Sequence, residues 1–122
     1  MYNKVVALGL LYGVPHGGPA VTNFARITAN LIEALRGIAN GNGLHDRVPM
    51  MDAAGTPDFG RTIRVDEVLA AAQYVPDDET FTEEELVIVD AAHANLGITR
   101  PSDSKKAVAH TIMTTLVRAR RQ

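Results

Sequence analysis

The sequence predicts an all-α protein, a small bundle of four to five helices with one long irregular loop. Apolar residues recur at spacings of three and four in several stretches, and glycine and proline separate these stretches. Alanine is abundant, which favours helix. The length of 122 residues and the 46% hydrophobic content suit one globular domain with its own core. A single helical domain over residues 1–122 is therefore expected.

The first element is the apolar run at residues 5–12. Alanine and leucine outnumber β-branched residues there, and Gly13 and Pro15 follow as they follow a helix end. We predict a helix. A strand over residues 5–11 is the alternative, because a short apolar run fits both structures, and it would change the class to α+β.

The second helix has the clearest pattern. It opens near Pro19, and Phe24, Ile27, Leu31 and Leu35 repeat along one face before Gly37. Residues 40–61 follow, broken by glycines and prolines, and are predicted to form an irregular loop. A loop of that length usually binds something. Its apolar side chains include Met50, Met51 and Phe59, which we expect a partner to cover.

Three helical segments complete the chain. One spans residues 65–75 and stops before Pro76. The next opens on a capping box of Thr82 with Glu85 and ends at Gly97. The last begins near Ser102 and runs almost to the C-terminus.

Charge is sorted along the chain. Residues 1–60 carry four basic and four acidic side chains, residues 61–100 carry three basic and nine acidic, and residues 101–122 carry five basic and one acidic. A molecule with an acidic segment and a basic end can attract its own copies head to tail.

The charge pattern and the apolar loop together predict a non-enzymatic assembly or interaction subunit. Its partner would be another copy or a larger protein complex. The expected partner-binding residues are Met50, Met51, Phe59, Glu83, Glu84, Lys105, Lys106, Arg118, Arg120 and Arg121.

A small nucleic-acid-binding regulator is the alternative. Residues 91–106 resemble a helix-turn-helix, with Leu-Gly-Ile-Thr between two helical segments and Lys105 and Lys106 beyond it. The resemblance is confined to these sixteen residues. His93 and Asp103 depart from it, where a small residue and an aliphatic anchor are usual. This function requires Arg100, Lys105 and Lys106 on one exposed face.

Catalytic, metal and cofactor sites are not predicted. Cysteine is absent, which excludes thiolate chemistry and cysteine-based metal sites. The segment from Gly13 to Pro19 lacks a phosphate-loop motif. A ligand site would need convergence among the histidines, which are His16, His45, His93 and His110.

Location is predicted from the apolar runs. None is long enough to span a bilayer, and no complete signal peptide is present. We expect a cytoplasmic protein, or a component of an intracellularly assembled complex, with no membrane partner.

Overall fold

The predicted all-α class is wrong, because strands as well as helices form. The computed structural model describes residues 5–7, 9–10, 17–76, 79–100 and 103–121, with side chains from residue 24 onward. Within these ranges it contains four helices and two pairs of antiparallel strands, an α+β arrangement. The elements in chain order are β1 (Val5–Ala7), β2 (Gly9–Leu10), α1 (Gly17–Ala39), β3 (Arg47–Met51), β4 (Pro57–Arg64), α2 (Val65–Ala72), α3 (Glu83–Leu96) and α4 (Lys105–Arg121).

The described part of the first apolar run, residues 5–7 and 9–10, does not form the predicted helix. β1 and β2 are short strands that pair with each other antiparallel. The two valines in β1 favour extended backbone, and Gly9 in β2 disfavours a helix interior.

The predicted loop at residues 40–61 is largely the β3–β4 hairpin. Asp52 shapes its tip, because its Oδ1 accepts hydrogen bonds from the backbone N–H groups of Ala54 and Thr56, each at 2.9 Å. Gly55 supplies the positive φ of 84° in this turn. Asn30 on α1 fixes the hairpin to the helix, since its Oδ1 accepts the backbone N–H of Met51 at 2.7 Å. These local and tertiary bonds outweigh the disruption that Pro49 and Pro57 suggested.

The other helices agree with the sequence predictions. α3 begins after Thr82, whose hydroxyl accepts the N–H of Glu85 at 3.2 Å, while the Glu85 carboxylate accepts the N–H of Thr82 at 3.0 Å. Gly97 ends the helix with a φ of 71°. α2 is shorter than predicted and ends at Ala72. α4 begins at Lys105, a few residues after the predicted start.

The core lies where α1 meets α2 and α3, and where α4 packs on α2. The predicted stripe of α1 is buried at Leu31 and Leu35 and partly buried at Ile27, and Ile38 extends it, whereas Phe24 is 36% exposed. Val48 brings the hairpin into the same core. Leu69, Val89, Val108 and Ile112 contribute the facing side chains of the other helices.

The start of α3 lies beside the start of α4. Thr80 bridges Ser104, and the N–H of Phe81 donates to the carbonyl of Asp103 at 3.4 Å. A helix of 17 residues then carries the chain about 25 Å away to the end of α4. None of the helices in the described ranges has the length and hydrophobicity needed to cross a membrane.

Candidate interaction surfaces

A charged cluster forms around Asp66 at the far end of α4. The Asp66 side chain is only 8% exposed. Arg64 donates two hydrogen bonds to it, from Nε to Oδ1 at 3.1 Å and from Nη2 to Oδ2 at 2.5 Å. Arg120 adds a third from Nη2 to Oδ2 at 3.1 Å. The Arg64 hydrogen bond holds the pKa of the Asp66 carboxyl below its usual value, although burial alone would raise it.

His45 completes the cluster. Its Nδ1 lies 3.5 Å from Asp66 Oδ2 and 3.2 Å from Arg64 Nη2, and its Nε2 lies 3.4 Å from Arg120 Nη2. The loop before β3 places this ring, because the carbonyls of Leu44 and Asp46 accept the first N–H groups of α2. One carboxylate therefore faces two guanidinium groups and an imidazole, and the cluster carries excess positive charge.

The last turn of α4 extends this positive region to the surface. Arg118 and Arg121 are three residues apart and therefore share a helix face, and both are exposed. Neither forms an ion pair with any residue that the structure describes. We call the exposed end formed by Arg64, Arg118, Arg120 and Arg121 the basic pole.

The first turn of α3 carries negative charge. Glu83 and Glu84 are exposed, and among the described residues they have no ion-pair partner. Their charge favours the helix start, as expected near the positive end of a helix dipole. We call these two residues, with Glu85, the acidic pole. Asp77 and Asp78, which belong to the acidic segment of residues 61–100, lie outside the described residues.

The length of α4 separates the two poles by about 25 Å, because the acidic pole lies near the start of α4 and the basic pole at its end. At that separation, attraction between exposed charges of one molecule is largely screened at physiological salt. The charges remain accessible to another molecule.

Lys105 and Arg100, two cations predicted to contact a partner, form ion pairs within the chain. The Lys105 side chain is 6% exposed, and its Nζ lies 3.0 Å from Glu79 Oε2 and 5.9 Å from the centre of the Phe81 ring. Arg100 pairs with Asp90 at 2.8 Å and also contacts Asp103. Lys105 thus does not join Arg100 and the exposed Lys106 on one open face, as the helix-turn-helix hypothesis requires.

The predicted apolar partner residues separate into two groups. Met51 is buried at 8% exposure, and Met50 is half-buried, so the protein itself covers most of their surface. Phe59 is 77% exposed. Of these three, only Phe59 offers a large apolar surface to a partner.

The three described histidines, His45, His93 and His110, do not define a metal site among the described residues. His93 is buried on α3, and neither ring nitrogen has a hydrogen-bond partner in the described structure. Burial lowers its pKa, with a smaller opposing effect from Asp90. His110 is exposed and His16 lies outside the described residues. Within the described ranges, no group of three or more potential ligands could hold a metal ion.

Sequence reasoning missed Arg64 and Asp66, and it named His45 without placing it beside them. Arg64 and Asp66 flank the start of a helix, and an Asp in the first turn is a recognisable signal. Arg120 lies 54 residues further along the chain, so its contact with Asp66 depends on how α4 packs.

Comparison with known proteins adds no family to this description. No protein-family model matches the chain, and neither the curated proteins nor the solved structures provide a significant match.

Proposed function

We propose that this protein is a non-enzymatic assembly subunit that associates with its own copies head to tail. The basic pole of one copy faces the acidic pole of the next. The observation that carries the proposal is that Arg118 and Arg121, at the end of α4, lie far from Glu83 and Glu84, which lie in α3 beside the start of α4. All four side chains are exposed and have no ion-pair partner among the described residues.

Physical chemistry supports this arrangement. Complementary poles steer association and fix its orientation, while like poles repel. Two different surfaces meet in such a contact, so copies add in rows or close into rings. The Asp66 cluster supports the interface, because it ties the arginine-rich end of α4 to α2 and keeps the basic pole in one place.

Solution mass at low and high salt tests the proposal. We expect oligomers at about 0.02 M salt and dissociation at about 0.5 M, because the Debye length falls from tens of ångströms to a few. Sedimentation velocity and light scattering over a range of protein concentrations measure this change. A monomer at every salt and concentration would overturn the proposal.

Charge reversal identifies the surfaces. The variants R118E/R121E and E83K/E84K should each be monomeric, because each leaves two poles of the same sign. An equimolar mixture of the two should associate again, since each native pole then finds its native complement. Circular dichroism checks that both variants remain folded. Failure of the mixture to associate would contradict pairing between these two poles.

A further inference from the structure

A bulge on β4 presents an exposed aromatic side chain. The ladder pairs Pro49 with Thr62 and then Met50 with Asp58, so residues 59–61 have no partner on β3. Within the bulge, Asp58 Oδ1 accepts a hydrogen bond from the N–H of Gly60 at 3.0 Å. Bulges commonly redirect a side chain, and here Phe59 is 77% exposed. Its ring contributes little to the core of its own chain.

An open groove of about 470 Å³, with apolar and charged lining residues, lies between α1 and the tip of the same hairpin. Four alanines and Gly55 form part of the lining, which leaves room for a large side chain. Its apolar lining includes Ala25, Ala29, Ile32, Met51, Ala53 and Ala54. A phenyl ring suits such a site, because an aromatic side chain buries about 150–250 Å² and gains most in an apolar recess.

Charges at the two surfaces are complementary. Glu79 and Glu85 border the groove. Glu85 accepts only a backbone N–H, from Thr82, so its negative charge is not neutralised by a cation among the described residues. Arg61 lies two residues from Phe59 in the bulge, is exposed, and has no ion pair within the described ranges.

Arg36 also borders the groove, but it forms an ion pair with Glu33, with Nη1 of Arg36 2.9 Å from Oε1 of Glu33. Glu79 forms an ion pair with Lys105, whose Nζ lies 3.0 Å from Oε2 of Glu79. Glu85 is therefore the natural partner for an incoming arginine.

We infer that Phe59 of one copy inserts into the α1 groove of a second copy, with Arg61 facing Glu85. The inference rests on the proposed self-association and identifies the contact that gives it specificity. Glu85 also belongs to the acidic pole, while Arg61 lies three residues from Arg64 of the basic pole. In the ladder the bulge lies between the Arg47–Arg64 pair at the basic pole and the Met51–Pro57 pair beside the groove.

Photo-crosslinking tests the contact directly. A benzophenone amino acid replaces Phe59 in an isotopically heavy copy, which is mixed with light wild-type protein at low salt. We expect crosslinked peptides that join heavy residue 59 to light residues 25–32 or 51–55. Crosslinks only within a heavy chain, or only to other surfaces, would overturn the inference.

Matched variants distinguish the groove contact from non-specific association. F59A should weaken association at least tenfold at low salt, because a central aromatic contact is lost. A25R should do the same by filling the groove and repelling Arg61. The controls are Y74A, which removes another exposed aromatic residue, and A91R, which adds an arginine to an exposed part of α3; both should retain wild-type association.

The outcomes distinguish this inference from the proposed function. If F59A and A25R associate like wild type while the charge-reversal variants do not, the poles remain the interface and the groove contact is wrong. If wild type is monomeric at both salts, self-association and the groove contact are both wrong.

Discussion

Single residues in this protein show how burial changes a side chain's chemistry. His93 is 2% exposed, and both ring nitrogens lack partners among the described residues. An unpaired buried polar group costs about 1–3 kcal/mol. His93 therefore destabilises the fold at neutral pH, and it does so more strongly in acid.

We predict that H93L is at least as stable as wild type at pH 7 and more clearly stabilised in acid. Burial lowers the pKa of His93 in the folded state from its usual 6.5. As pH falls below 6.5, the unfolded chain takes up a proton that the folded chain does not, so wild-type stability decreases. This site contributes a slope of at most about 1.4 kcal/mol per pH unit.

Urea denaturation between pH 8 and pH 5 measures that slope in wild type and H93L. Leucine removes the titrating ring, so the variant should lose the His93 contribution. V87A, which changes an exposed side chain on the same helix and leaves His93 in place, should retain the wild-type slope. An H93L variant that is less stable than wild type and has an unchanged slope would refute this prediction.

At the scale of elements, Asp66 joins three parts of the fold. It belongs to the first turn of α2, and it binds Arg64 at the end of β4 and Arg120 near the end of α4. Leaving two guanidinium groups without their carboxylate is costly. The cost is moderated because the Arg64 and Arg120 side chains are 38% and 50% exposed and can be hydrated.

We predict that D66N lowers the free energy of unfolding by about 1–3 kcal/mol at pH 7. The pKa of Asp66 is lowered in the folded state from its usual 3.8. Its ionised form therefore stabilises the fold above pH 3.8, and this contribution is lost as pH falls below that value. The stability difference between wild type and D66N should accordingly shrink in strong acid.

Chemical denaturation at pH 7 and at pH 3 measures both effects. D90N is the matched control, since Asp90 also pairs with an arginine but its side chain is 56% exposed. That pair should contribute less than about 1 kcal/mol. Equal losses in D66N and D90N would show that the Asp66 cluster has no special structural role.

At the scale of the whole molecule, the two poles make the protein directional. In a head-to-tail row, each copy binds one neighbour through its basic pole and another through its acidic pole. A variant copy that lacks one pole therefore ends the row, whereas a symmetric dimer has no row to end. R118E/R121E retains a native acidic pole but lacks a basic one, so it can join only one end of an assembly.

We predict that a small proportion of R118E/R121E shortens wild-type oligomers. Each variant copy should end one row, so the mean mass should fall steadily as its proportion increases. Light scattering of mixtures at low salt measures the mean mass. An equal proportion of unmodified protein at the same total concentration is the control. An unchanged mean mass would contradict a head-to-tail arrangement.

Local signals were enough to predict the main helices. The stripe of α1, the capping box of Thr82 with Glu85 and the stop at Gly97 each depend on residues a few positions apart. Such signals act within one or two helical turns, so they can be recognised without the fold. The exposed Arg118, Arg121, Glu83 and Glu84 were also identifiable, because charged side chains at helix ends usually face water.

Tertiary structure decided the rest. The hairpin replaced a predicted loop because Asn30, 21 residues from Met51, holds it against α1. The burial of Lys105 and the binding of Arg120 to Asp66 follow from the packing of α4, which brings distant residues together. By itself, the sequence determined the helical periodicity and the order of charges along the chain, because both depend on neighbouring residues. Only the folded chain decided which charges are paired internally and which remain exposed at the two poles, because that depends on contacts between distant segments.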